Sequence, residues 1–159
     1  MSNDLVQAWH AAHAVTLRFL EAVPDEALAD RYAPRTRTVA AQFMHIHYVR
    51  VKNLEGRGRE FLGDLKPFEK GAEPSKAELV AALTASGEAL TLLFENVAAT
   101  GQVKSWSGSP PATFLAYHVA HEAHHRALAS VAIRSGGHKL PKETLMDQWY
   151  TWRKGVEGV

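Results

Sequence analysis

Four stretches of this chain, each about twenty residues long, return their apolar residues to one side of a helix, and no stretch alternates apolar and polar residues as a strand would. That pattern confines the chain to an all-α fold. The first stretch runs from Asp4 to Val23, with Val6, Trp9, Leu17 and Leu20 as its stripe, Ser2 or Asn3 as cap and Pro24 as stop. The second, TVAAQFMHIHYVRVKNLE, opens at Thr36 or Thr38 and carries Val39, Phe43, Ile46 and Val49 until Gly56. The third spans Lys76 to Thr100; the capping box Ser75-Lys76-Ala77-Glu78 launches it and Gly101 closes it. The fourth takes Ser109 as cap and Pro110 as first residue, then runs to Ser135 before Gly136-Gly137. The tail from His138 holds one short helix, with Trp149 and Trp152 expected against an apolar surface. The longest connection, residues 57–74, lies between the second and third helices and suits a crossover that sets those two parallel. The expectation is a single domain over residues 1–159, a four-helix bundle with one long crossover.

Composition narrows the function. Lys and Arg number 18 against 17 Asp and Glu, a net charge of +1, which gives no footprint for nucleic acid or an anionic membrane. There is no cysteine, so neither disulfides nor thiolate ligands are available, and a metal site has to use His, Asp or Glu. The start, MSNDLVQAWHAAH, lacks the basic and apolar regions of a signal peptide, and no apolar run long enough to span a membrane is evident. A cytosolic location is the default.

The chemistry concentrates in HEAHH, residues 121–125, on the fourth helix. His121 and His125 point within about 40° of each other, as two imidazoles sharing one ion must. Phe114, Tyr117, Leu128 and Ala132 fall on the same side, so the pair faces the core, where two unsatisfied imidazoles are costly and a metal satisfies both. The bland alternative is a pair bonded to neighbours or lying on the surface. The string is literally the H-E-x-x-H of zinc proteases, with Glu122 as base, but it is not followed by the glycine and histidine of the metzincin pattern. Glu143 lies in a short tail, and no strand exists to hold an extended substrate. The third ligand is better sought upstream. His45 and His47 on the second helix point about 160° apart, so at most one can join, and helical phase does not choose between them. His13 is read as a core histidine bonded to a neighbour. His118 is a candidate ligand or support, and His124 is assigned to an adjoining helix contact. Glu122 sits about 100° around from His121 and is read as orienting an imidazole or pairing with Arg126 one turn on, with a base role as the alternative.

TVAAQFMHIH, HEAHHRALA and HKLPKETLMDQWYTW together resemble the DinB/YfiT-like metal-binding family, which is unrelated to the DNA polymerase of that name. The resemblance implies a four-helix bundle, commonly a homodimer, that holds a divalent ion such as zinc or nickel with three histidines. Carried over by position, those ligands are His45, His121 and His125. Where the family often has H-H-R-G-Q, this chain has His124-His125-Arg126-Ala127-Leu128, which leaves the ligands intact and removes the glutamine. Several members similar to this chain are thiol-dependent transferases, which join a low-molecular-weight thiol of the bacillithiol or mycothiol kind to an electrophilic substrate. Three neutral imidazoles leave an ion with open positions, and such an ion lowers the pKa of a bound thiol or water. A thiol S-transferase is therefore the leading expectation, with a metal-dependent hydrolase and a non-enzymatic stress-response binding protein as alternatives.

Overall fold

The computed structural model describes residues 2–106 and 109–156, apart from the side chains of Ser2 and Asn3, so the caps expected there lie outside the described residues. Five helices follow in order: α1 (Ser2–Ala22), α2 (Val39–Arg57), α3 (Lys76–Thr100), α4 (Pro111–Ser135) and α5 (Lys142–Lys154). Short 3₁₀ turns at Asp25–Ala29 and Arg59–Phe61 lie in the connections. There is no strand among the described residues.

The termini show why the helices lie where they do. Thr38 caps α2 by accepting from the Ala41 amide at 3.1 Å, while Thr36 turns back onto the Ala33 carbonyl. Gly56 does not stop α2, which continues to Arg57 until the Gly58 amide bonds the Leu54 carbonyl. The capping box at Ser75 and Glu78 forms in both directions, and Gly101 closes α3 at φ 70°, a conformation only glycine adopts without strain. At α4 the expected cap shifts by one residue. Pro110 is the N-cap and Pro111 the first helical position, so Ser109 lies outside and no side chain caps the helix.

Two apolar clusters fix the helix directions. One joins Phe19, Leu20, Val39, Phe43, Ile46, Leu79, Leu83, Ala129 and Ile133. The other joins Trp9, Ala12, Leu54, Leu90, Phe94, Val97 and Phe114. The start of α2 and the start of α3 share the first cluster and their ends share the second, so those helices are parallel. α1 and α4 run the opposite way. The chain is thus an up-down-down-up four-helix bundle, and residues 58–75 carry it back along the bundle's length. Around its axis α1 packs on α3, α3 on α2, α2 on α4 and α4 on α1.

α5 lies outside this ring against α1. Its contact is polar: Arg18 reaches Asp147 at 3.1 Å and Thr151 at 3.1 Å, and Thr151 is its buried residue. Trp149 is therefore 68% exposed and Trp152 38%, contrary to the expected apolar packing of both. By length and composition alone α3 is apolar enough to cross a membrane. Its apolar residues Leu79, Leu83, Leu90, Leu93 and Phe94 are buried in the bundle, as a core helix requires.

Candidate metal centre

α2 and α4 bring His45, His121 and His125 together with one nitrogen of each within 4.8 Å of the others. Ring centroids are 4.5 Å apart for His121 and His125, 4.7 Å for His45 and His125, and 5.3 Å for His45 and His121. Small side-chain rotations close such a spread to what bonds of about 2.0–2.1 Å from one ion require. The cluster lies at the seam between two helices. His125 is buried, while His45 and His121 are half-buried. Tyr48 stacks on His45 with centroids 5.8 Å apart, Tyr117 stacks on His121 at 5.9 Å, and both tyrosines are exposed. An open cleft of about 340 Å³ adjoins His45, walled by Arg37, Met44, Tyr48, Phe68 and Lys70.

All three imidazoles are held neutral. Burial pushes His125 down to about 3, helped by the neighbouring His121 and His45, and His121 down to about 4, helped by His45. His45 is lowered by burial and by the Arg37 charge. A neutral imidazole keeps a lone pair for a metal. Gln42 Oε1 lies 2.7 Å from His125 Nδ1, so the amide oxygen accepts the Nδ1 proton and leaves Nε2 free for an ion. The donor set, its neutrality and this fixed tautomer all fit a divalent cation.

The other histidines are accounted for differently. His47 Nδ1 lies 3.1 Å from Ser86 Oγ and Nε2 3.0 Å from the Lys66 carbonyl, which tie it to α3 and the crossover. Of the two, it is His45 that lies with His121 and His125. His13 is half-buried and bonded to a neighbour as expected, stacked on Trp9 and 3.2 Å from Arg50. Gly87 makes room for it, because a Cβ there would lie 2.1 Å from the imidazole. His118 is no part of the cluster. It is fully buried against Trp9, Phe94, Phe114 and Tyr117 with neither ring nitrogen hydrogen-bonded, and burial pushes it down to about 3. His124 and Glu143 are exposed.

Glu122 departs most from expectation. It neither bonds Arg126 nor touches an imidazole; it is fully buried and takes a two-pronged bond from Arg50, Nε to Oε1 at 2.8 Å and a terminal nitrogen to Oε2 at 2.9 Å. Thr16 donates to Oε2 at 2.6 Å and accepts from Arg126 at 2.8 Å. Arg50 also donates to the Leu83 carbonyl at 2.8 Å and lies over the Trp9 ring. Burial alone would raise the Glu122 pKa, but the Arg50 charge and bonds, with Thr16, outweigh it and hold the carboxyl at about 2. The core-facing side of α4 therefore runs through Phe114, His118, Glu122, His125 and Ala129, and Tyr117 and His121 stand at its edge. Because Arg50 follows His45 on α2 and Glu122 follows His121 on α4, the ion pair also sets how those helices lie against each other beside the cluster.

Sequence reasoning missed Gln42 and Arg50. The cue for Gln42 was its place one turn before His45; Arg50 gave none, because an arginine on a half-apolar helix is ordinarily solvated.

A helical bundle carrying three converging, neutral histidines on two neighbouring helices belongs to the class of proteins able to hold a metal ion in their core seam. The DinB family model matches residues 1–154, and the chain belongs to the DinB family. No curated protein matches it.

Proposed function

We propose that this protein holds a divalent ion, zinc or nickel, through His45, His121 and His125, and uses it to transfer a low-molecular-weight thiol to an electrophile. The observation that carries this reading is the convergence of three neutral imidazoles at a seam open to solvent on one side. When bound, the ion would supply Lewis acidity, lowering the pKa of a thiol held at an open position.

The chain's own residues define the rest. Gln42 fixes the His125 tautomer, and the Arg50–Glu122 pair holds α2 and α4 at the spacing the cluster needs. Tyr48 and Tyr117 flank the histidines, stacked on His45 and His121. With no cysteine in the chain, a thiol nucleophile must come with the cosubstrate. A hydrolase using Glu122 as base is disfavoured, because that carboxylate is enclosed and every strong bond it makes is to Arg50 or Thr16. Family membership alone supports the further reading of a cytosolic homodimer, for which a solution mass of about twice 17.5 kDa is expected.

The test is metal analysis of the purified protein and of His45→Ala and His47→Ala, followed by a screen of thiols with a chromogenic electrophile. His45→Ala should lose the metal and His47→Ala should retain it; the reverse would overturn the ligand assignment. Metal-dependent conjugation supports the transferase. Ester or amide hydrolysis without conjugation would replace it with the hydrolase, and metal without either activity with a binding protein.

A further inference from the structure

Beyond Tyr48, on the side away from Arg37, a second open cleft of about 390 Å³ is lined by Tyr48, Lys52, Asn53, Arg57, Trp106 and Tyr117. Its two tyrosines are the ones stacked on His45 and His121, so cleft and cluster share walls. At the far end lies Arg57. Its guanidinium sits 5.1 Å above the Trp106 ring and 5.8 Å from the Phe114 ring, and one terminal nitrogen donates to Asn53 Oδ1 at 2.9 Å. Asn53 is itself anchored to the Val49 carbonyl at 2.9 Å. The guanidinium is thus held against two rings and Asn53, half-buried, and among the described residues no carboxylate pairs with it. Lys52, the other cation here, is already matched by Glu55 at 2.6 Å.

A half-buried guanidinium balanced by ring faces and one amide oxygen is a weak structural device, because no counter-ion offsets the desolvation of its charge. It is a good ligand device, since its planar fork matches a carboxylate and its rigidity reduces the ordering cost of binding. Asn53 lies eight residues along α2 from His45, about 12 Å at 1.5 Å per residue. A molecule bound at both places must therefore be elongated.

We propose that this cleft is a carboxylate subsite: Arg57 grips the acidic end of an elongated thiol cosubstrate while its sulfur end reaches the histidine cluster between Tyr48 and Tyr117. The assignment of the sulfur end rests on the metal-thiol reading above; the carboxylate grip does not.

Isothermal titration separates the two. The probes are ω-mercaptooctanoate, its methyl ester, the shorter thioglycolate, and octanoate, which has no thiol. With the metal-loaded protein, ω-mercaptooctanoate should bind at least about tenfold more tightly than its ester, as a charge-assisted pair implies, and more tightly than thioglycolate, which cannot span the two places. Arg57→Gln should abolish the preference for acid over ester and leave metal content unchanged, whereas Arg57→Lys should keep the preference at reduced affinity. Octanoate should show the same dependence on Arg57 with or without metal. If wild-type protein binds no metal but octanoate still depends on Arg57, the metal reading fails and the subsite stands. Equal binding of acid and ester, or a preference that survives in a folded Arg57→Gln protein, would overturn the subsite.

Discussion

Glu122→Gln keeps the shape of the side chain and removes its charge, leaving the Arg50 guanidinium enclosed without a counter-ion. Removing one partner of a buried pair costs about 3–5 kcal/mol. The Glu122 carboxyl agrees in direction: burial would raise its pKa, and the Arg50 charge and bonds outweigh that and hold it at about 2. For a chain of this length each kcal/mol shifts the melting temperature by about 2–4 °C, so a loss of about 3–5 kcal/mol should lower it by roughly 6–20 °C at pH 7. Urea unfolding followed by circular dichroism measures the loss directly, with an unchanged m-value showing that the same surface unfolds. The pH dependence adds a second signature. Because the folded pKa is depressed, the carboxylate's contribution is complete above about 4.5 and is lost as pH falls towards about 2. The gap between wild type and variant should shrink across that window. Replacing both partners, as Arg50→Met with Glu122→Leu, should cost less than the two single changes added together, since no charge is then stranded. A loss under about 1 kcal/mol for Glu122→Gln at pH 7 would refute the reasoning, because an enclosed, unpaired arginine cannot be that cheap.

Acid should act earlier through histidine. His13 and His118 are both held near 3, so they favour the folded state fully above about 6.5 and lose that contribution as pH falls towards 3. His118→Leu should therefore flatten the decline in stability between pH 6.5 and 4 while changing it little at pH 8; an unchanged slope in urea titrations would count against this. Gln42→Leu should lower metal affinity about 10–100-fold with the fold intact, as loss of an imidazole's orienting partner does elsewhere, and a competition assay with a chromophoric chelator reads it. Gly87→Ala should cost about 1–3 kcal/mol because its methyl group would overlap the His13 imidazole; stabilisation, as helix propensity alone implies, would be the contrary result.

The helices were legible because their signals are local. The capping box at Ser75 and the periodic stripes report on neighbours within one turn, and the long connection implied the parallel α2 and α3. The histidine pair was legible for the same reason, being one turn apart on one helix. What the sequence withheld depends on pairing between distant segments. The inward face of α4 was placed too close to Tyr117 and His121 because Glu122 read as a partner of an imidazole or of Arg126 and His118 as a ligand or its support, whereas Arg50, Thr16 and an aromatic box enclose them. That His45 and not His47 lies beside His121 and His125 likewise shows only in the fold, where Ser86 and the Lys66 carbonyl hold His47, contacts that helical phase cannot reveal. Trp149 and Trp152 misled by composition, since the surface available to α5 on α1 presents Arg18.

The three histidines all ride on α2 and α4, whereas Pro67–Gly71 of the crossover walls one cleft and Trp106, ahead of α4, walls the other. Donors and walls therefore answer to different parts of the chain. Lengthening or rewriting either connection would change which molecules reach the seam without moving a helix or a ligand, and connections tolerate such changes far better than packed helices do. A bundle built this way can diverge in what reaches the seam while its three histidines stay in place. Across relatives, differences in substrate should then track residues 58–75 and 101–110 rather than the helices that carry the histidines.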